Sequence, residues 1–422
     1  MAHAGCPARS TDSALPLAPA GPSAQPGVMD TTPPEGREGP RAKGRPGLPR
    51  VRLSSPADVL AAVPPLFGFH PARSLVVIGA GGRRDRLRLG FRYDLPDPPD
   101  ATAARQITGH AAAVLAGRRA TTVIAVGYGP GRLVTPLIDL LATAARESGL
   151  AVRELLRVED GRYWSYLCRD VDCCPAEGVP FDPRSHPVTA VMSAAGLPAY
   201  PDREALARTI SPLTGERATA RDQAVQRACA RVTTLAEQAA SRGGSPLRLV
   251  ITEGRRAVRD AIARYRDGGA ITDGDLLAWL VVSLAHLPVR DDAWARMEPG
   301  HRDAHLRLWK DLVRNAAGPW VPAPAALLAF TAWQSGDGAL ASVAIDRALA
   351  CDPDYSMALL LREILDAGVP PSAARLPMSP EEVERSYERP AGAEPAPAPR
   401  PRRPADRRRR GGGGGKPPAA QE

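Results

Sequence analysis

Between residues 74 and 167 short apolar runs alternate with longer stretches of helical spacing. Ser74-Leu-Val-Val-Ile-Gly79 is β-branched and closed by glycines, which suits a buried strand. Arg86-Leu-Arg-Leu-Gly-Phe-Arg-Tyr93 alternates with period two, the pattern of a strand with one wet face. The glycines between them predict a hairpin. Residues 101–117 carry Ala, Val and Leu at helical spacing and stop at Gly117. Thr121-Thr-Val-Ile-Ala-Val-Gly127 reads as another buried strand, and 136–148 as the next helix. Residues 151–158 and 162–167 then read as two strands around Glu159-Asp160-Gly161. Strands interleaved with helices of this length predict a mixed sheet with packed helices, partly parallel: an α/β fold.

From about residue 202 the period changes to that of helices, with one short run, 247–252, reading as a strand. Residues 221–240 form a long amphipathic segment, and Thr272-Asp-Gly-Asp offers a cap ahead of a helix at 276–287. Three short helices follow at 323–335, 338–350 and 354–367. Their small-residue spacing predicts an all-α domain ending in a tetratricopeptide-like helical hairpin. Trp279, Trp294, Trp309, Trp320 and Trp333 recur through this half as expected core anchors.

Composition adds the boundaries. Ten prolines fall in residues 1–50 and eight in residues 390–422, and neither stretch has an apolar face. The expected organisation is a disordered Pro/Gly-rich leader (1–50), an α/β domain (51–200), a helical domain (201–369) and a disordered Pro-rich, Arg-rich tail (370–422). The net charge of +9 resolves into +6 for residues 400–422, +2 for residues 1–50 and +1 for the 349 residues between. A pI of 9.6 therefore describes a tail and not a basic face, so the expected nucleic-acid contact is weak, non-specific and confined to the tail. No apolar run is long enough for a bilayer, so no membrane contact is expected and a cytoplasmic location is.

Four separated motifs carry a resemblance. Leu53-Ser-Ser-Pro-Ala-Asp-Val-Leu60, Gly68-Phe-His-Pro-Ala-Arg-Ser-Leu-Val-Val-Ile-Gly79, Tyr163-Trp-Ser-Tyr-Leu-Cys168 with Cys173-Cys-Pro175, and Leu327-Leu-Ala-Phe-Thr-Ala-Trp-Gln-Ser-Gly-Asp-Gly338 resemble the actinobacterial domain of unknown function 4192 (DUF 4192) over about residues 51–369. The resemblance implies a cytoplasmic bacterial protein and the domain extent. It brings no catalytic residue or cofactor with it.

The chemistry rests on one compact constellation. Cys168-Arg-Asp-Val-Asp-Cys173-Cys174-Pro175 gathers three of the six cysteines in seven residues. Thiolates bind zinc, and His186 or the distant His70 would complete a tetrahedral set. Buried, unreactive thiols are the competing reading. Alternation along Tyr163-Trp-Ser-Tyr-Leu-Cys168 places Trp164, Tyr166 and Cys168 on one face, so Trp164 and Tyr166, with Arg73 as an anion contact, are candidate pocket residues. His301-Arg-Asp-Ala-His305 has the spacing of a zincin helix, but Arg302 stands where its Glu would be, so a solvated charged face is expected.

Three functions are compatible with these residues. The first is a non-catalytic module that binds a protein or a small ligand. The second is a metal-assisted hydrolase using His70 and the Cys168/Cys173/Cys174 cluster. The third is a nucleic-acid-associated protein acting through the Arg-rich tail.

Overall fold

The computed structural model describes residues 24–25, 51–82, 86–373 and 379–388. The leader expected over residues 1–50, apart from 24–25, and the tail beyond 388 lie outside the described residues.

The first half is a mixed sheet whose strands run in the order β1-β3-β2-β4-β5-β6-β7. They are β1 (Ala24–Gln25), β2 (Ser74–Gly81), β3 (Arg86–Asp94), β4 (Thr122–Tyr128), β5 (Ala151–Glu159), β6 (Arg162–Ser165) and β7 (Val179–Pro180). β2 is buried along its whole length, as its continuous apolar run demands, and lies antiparallel to both β3 and β4. β4 and β5 are parallel and joined through α3 (Gly131–Glu147), since a parallel pair needs a crossover. α1 (Pro56–Phe67) covers one face, setting Val59, Leu60, Val63 and Phe67 against Val76, Ile78, Ile124 and Val126. α2 (Ala101–Gly117) and α3 cover the other, over Leu75, Val77, Val123 and Ala125. Gly127 permits the close approach of α3: a Cβ there would stand 2.2 Å from Cγ1 of Val134.

α4 (Pro187–Ala194) packs on α1 and leads into the helical half: α5 (Arg203–Arg208), α6 (Glu216–Ser241), α7 (Pro246–Arg266), α8 (Gly274–Ser283), α9 (Leu287–Ala295), α10 (Arg302–Arg314), α11 (Pro322–Gln334), α12 (Gly338–Cys351), α13 (Ser356–Asp366) and α14 (Pro380–Glu388). Its core runs through Leu280, Trp309, Leu328, Trp333, Ile345 and Leu361. α11 is buried on every side, every residue from Pro322 to Trp333 being enclosed.

A seam joins the halves. Arg118 Nη2 donates to the carbonyl of Ala367 at 2.9 Å, and Trp333 Nε1 to that of Val369 at 3.1 Å. Gly368, with φ of +59°, sits so close to Val114 and Phe91 that a Cβ would meet them at 2.8 and 3.2 Å. Tyr93 Oη and His110 Nδ1 are 2.9 Å apart beside it.

Five expectations change. Residues 247–252 are not a strand but the first turns of α7, with Val250 in a helical core; Ser245 and Pro246 start the helix. α3 begins at Gly131, with Pro136 inside it. β3 has no wet centre: Arg92 is 5% exposed, its guanidinium lying 5.8 Å from the Phe69 ring and 2.6 Å from Asp94 Oδ1. The charged face expected at His301–His305 is only half right, because His305 is buried and stacked on Trp309.

The fifth is the tail. α14 lies inside the stretch expected to be disordered and docks on α9 through buried Val383 and a 2.5 Å hydrogen bond from Tyr387 Oη to Asp291. A chain trimmed to residues 51–389 keeps α14 and loses only the two-residue edge strand β1 among the described elements, so it is expected to melt within about 3 °C of the full chain. Trimming at 369 removes the Val383 anchor, worth roughly 1.5–3 kcal/mol, and should lower the midpoint by several degrees. Calorimetry of the two truncations checks this; equal midpoints would show that α14 contributes nothing.

Candidate functional site

The cysteine loop grows from the β5–β6 hairpin. Asp160 and Gly161 both take positive φ, 47° and 71°, so the turn follows the right-handed twist of its strands. The register pairs Val158 with Tyr163, Arg157 with Trp164 and Leu156 with Ser165. β6 stops at Ser165, short of the expected Leu167, because the Ser165 hydroxyl turns the chain. It accepts from the amides of Leu167 (3.3 Å) and Cys168 (3.2 Å) and donates to Glu154 Oε1 (3.1 Å). The loop then closes on itself. Cys174 N–H donates to the Asp170 carbonyl at 2.7 Å, and Asp172 N–H to Asp170 Oδ1 at 3.0 Å. Trp164 Nε1 reaches the Ala176 carbonyl at 2.9 Å. Gly178, at φ +83°, lets the backbone pass the indole, where a Cβ would stand 2.6 Å from Cε2.

The Sγ atoms of Cys168, Cys173 and Cys174 all lie within 4.8 Å of one another, and those of Cys173 and Cys174 are 4.0 Å apart. A tetrahedral zinc with bonds of about 2.3 Å sets its sulfurs about 3.8 Å apart, so the thiols stand within about 1 Å of a ligating triangle. Cys173 is exposed and the other two are half-buried. A hydrogen bond from the Asp170 amide and another from Cys174 hold Cys168 below the usual thiol range. Burial, reinforced by hydrogen bonds with Cys168 and Cys173, pushes Cys174 up to about 12. Crowded thiolates repel, and a bound dication removes that repulsion.

The alternation expected to group Trp164, Tyr166 and Cys168 is lost where β6 ends. Tyr163 is instead the aromatic neighbour of the thiols: its phenol is pushed up by burial first and then by Cys174, Cys173, Glu154 and Cys168. Trp164 stacks against Arg157, 3.7 Å from guanidinium carbon to ring centre, and Tyr166 Oη is 2.8 Å from Thr135 Oγ1 of α3. Both belong to the α3 side of the sheet. Sequence reasoning missed Glu154, and although it set the thiols beside the strand of Tyr163 it put Tyr163 and Ser165 on the face opposite Cys168; the available cue was a serine three residues before a cysteine at a strand end.

The histidines stand elsewhere. His186 caps α4, its Nδ1 accepting from Val188 N–H at 3.3 Å while Nε2 is 3.7 Å from Asp58 Oδ1. The His70 amide donates to the Tyr200 carbonyl at 3.0 Å. Burial and the nearby Arg184 push its ring pKa down, with Asp182 opposing. Among the described residues, no histidine or carboxylate shares the 4.8 Å radius of the three sulfurs. Arg73 is in a third place, with φ of +46° and an ion pair to Asp97, whose other oxygen is 3.6 Å from Arg132. The helical half adds a groove that no sequence motif announced. It has a volume of about 380 Å³ and lies between α6, α7 and α8, walled by Arg231, Arg256, Arg264, Glu253 and Trp279.

None of the described helices is long and apolar enough to cross a membrane. A family model described as "Domain of unknown function (DUF4192)" matches residues 56–372. No curated protein and no solved structure matches the chain.

Proposed function

We propose that this chain, which belongs to the DUF4192 family, is a cytoplasmic, non-catalytic binding module whose contact loop is organised by zinc. The observation that carries the reading is the convergence of Cys168, Cys173 and Cys174 within 4.8 Å at the edge of the sheet. Three thiolates on a seven-residue loop are a high-affinity set for a borderline-soft dication, and binding would fix a loop otherwise held by a few hydrogen bonds. The hydrolase reading asks for His70 at the same centre, whereas its ring lies beside Asp182 and Arg184. A nucleic-acid contact would fall to the tail of residues 400–422, with its net charge of +6.

Protein purified without chelators should carry one zinc per chain by elemental analysis. Serine at any one of the three positions should weaken zinc retention by at least about tenfold, because each thiolate is a direct ligand. Zinc removal should raise amide exchange in residues 166–178 and leave β2 and β4 protected. Metal-free protein whose three thiols react with a disulfide reagent equally fast with and without added zinc would overturn the proposal.

A further inference from the structure

The zinc reading leaves a coordination question that charge decides. Three sulfurs occupy three of four tetrahedral positions, and Cys173 faces solvent. One carboxylate of the loop is tied down, since Asp170 Oδ1 accepts from Asp172 N–H at 3.0 Å. Zn²⁺ with three thiolates carries a net charge of −1. Residues 168–178 add Arg169 against Asp170, Asp172 and Glu177, a further −2, of which Arg162, donating Nη1 to the Gly178 carbonyl at 2.8 Å, offsets one. Glu154 accepts a hydrogen bond from the Ser165 hydroxyl at 3.1 Å and raises the pKa of Tyr163.

Resting on that reading, we infer that the fourth position is open and selects a neutral nitrogen donor of the imidazole type over thiolate or carboxylate. An anionic fourth ligand would bring the ion and its ligands to −2 inside an acidic loop, and like charges a few ångströms apart repel appreciably even near the surface. A neutral imidazole adds a strong zinc donor without adding charge. An imidazole reaches such a site as a small molecule or as a histidine side chain of a partner.

The test uses the full chain loaded with cobalt(II), whose visible bands report coordination. Free imidazole and the blocked peptide Gly-His-Gly are titrated beside 2-mercaptoethanol and acetate. Imidazole should shift the bands with a half-saturation at least about tenfold below those of the two anionic donors. Asp172→Asn with Glu177→Gln, both exposed positions, should narrow that gap about threefold or more. Peptide binding as tight as imidazole assigns the donor to a protein partner; imidazole binding with peptide excluded assigns it to a small molecule. Cobalt bands that no donor shifts, or thiol binding as tight as imidazole, would overturn the inference while leaving the metal site standing. Failure to take up cobalt at all would overturn both.

Discussion

Asp292→Ala should destabilise the fold by about 2–4 kcal/mol. The carboxylate is fully buried in α9 and accepts four hydrogen bonds. Arg259 of α7 supplies Nε at 3.2 Å and Nη2 at 2.8 Å, and Arg296 supplies Nε at 2.9 Å and Nη2 at 3.1 Å. Two forked pairs on one carboxylate tie α7 to the end of α9. Deletion leaves two guanidiniums facing each other without their counter-charge. Their side chains are 38% and 30% exposed, so they can turn partly to water, which keeps the cost below that of a fully enclosed pair. Asp292→Asn keeps the shape and loses the charge, and should fall between the wild type and alanine. Urea unfolding of the three proteins measures the difference; an alanine loss below about 1 kcal/mol would show that the arginines re-pair elsewhere.

Acid should cost the protein about 3 kcal/mol at one residue. His305 is 2% exposed, stacked on Trp309 at 6.0 Å, and its two ring nitrogens have no partner among the described residues. Burial drives its pKa from 6.5 to about 4, with Glu298 opposing and His301 and Arg266 reinforcing. The unfolded ring takes a proton below pH 6.5 that the folded ring refuses until about pH 4. Stability therefore falls as pH drops across that window, by about 1.4 kcal/mol per pH unit where the two states differ by one proton. Asp366 works in the opposite sense: burial pushes it up to about 6, so the folded state gains stability as pH falls from 6 toward 3.8. His305→Phe removes one response and keeps the other. Wild type should lose about 3 kcal/mol more than the variant between pH 6.5 and 4 in urea titrations; parallel curves would refute the assignment.

Local pattern carried most elements of the fold. The helix at 101–117 was legible to the residue, because its apolar positions repeat at helical spacing and Gly117 ends it. The hairpin of β2 and β3 followed from two periods and a glycine turn. Errors fell where tertiary surroundings outvote local sequence. Val250, Ile251 and Thr252 are strand formers, yet they lie on α7 because a helical core is there to receive Val250. Ser379 and Glu382 form a reciprocal cap for α14 that proline-rich flanks obscure. The thiol cluster was legible since seven residues confine it. The placements of His70 and His186 were not, because they depend on how residues 181–187 pack beside α1, which no spacing encodes.

The seam at residues 366–369 has a consequence for biosynthesis. Arg118 and the carbonyl it binds are 249 positions apart. At about 5–20 residues per second, a ribosome needs roughly 12–50 s to carry the chain from one to the other. Throughout that interval the sheet and its helices can assemble, yet Phe91 and Val114 lack the backbone at Gly368 that covers them. The nascent chain thus presents an uncovered apolar spot until nearly the whole matched domain has emerged.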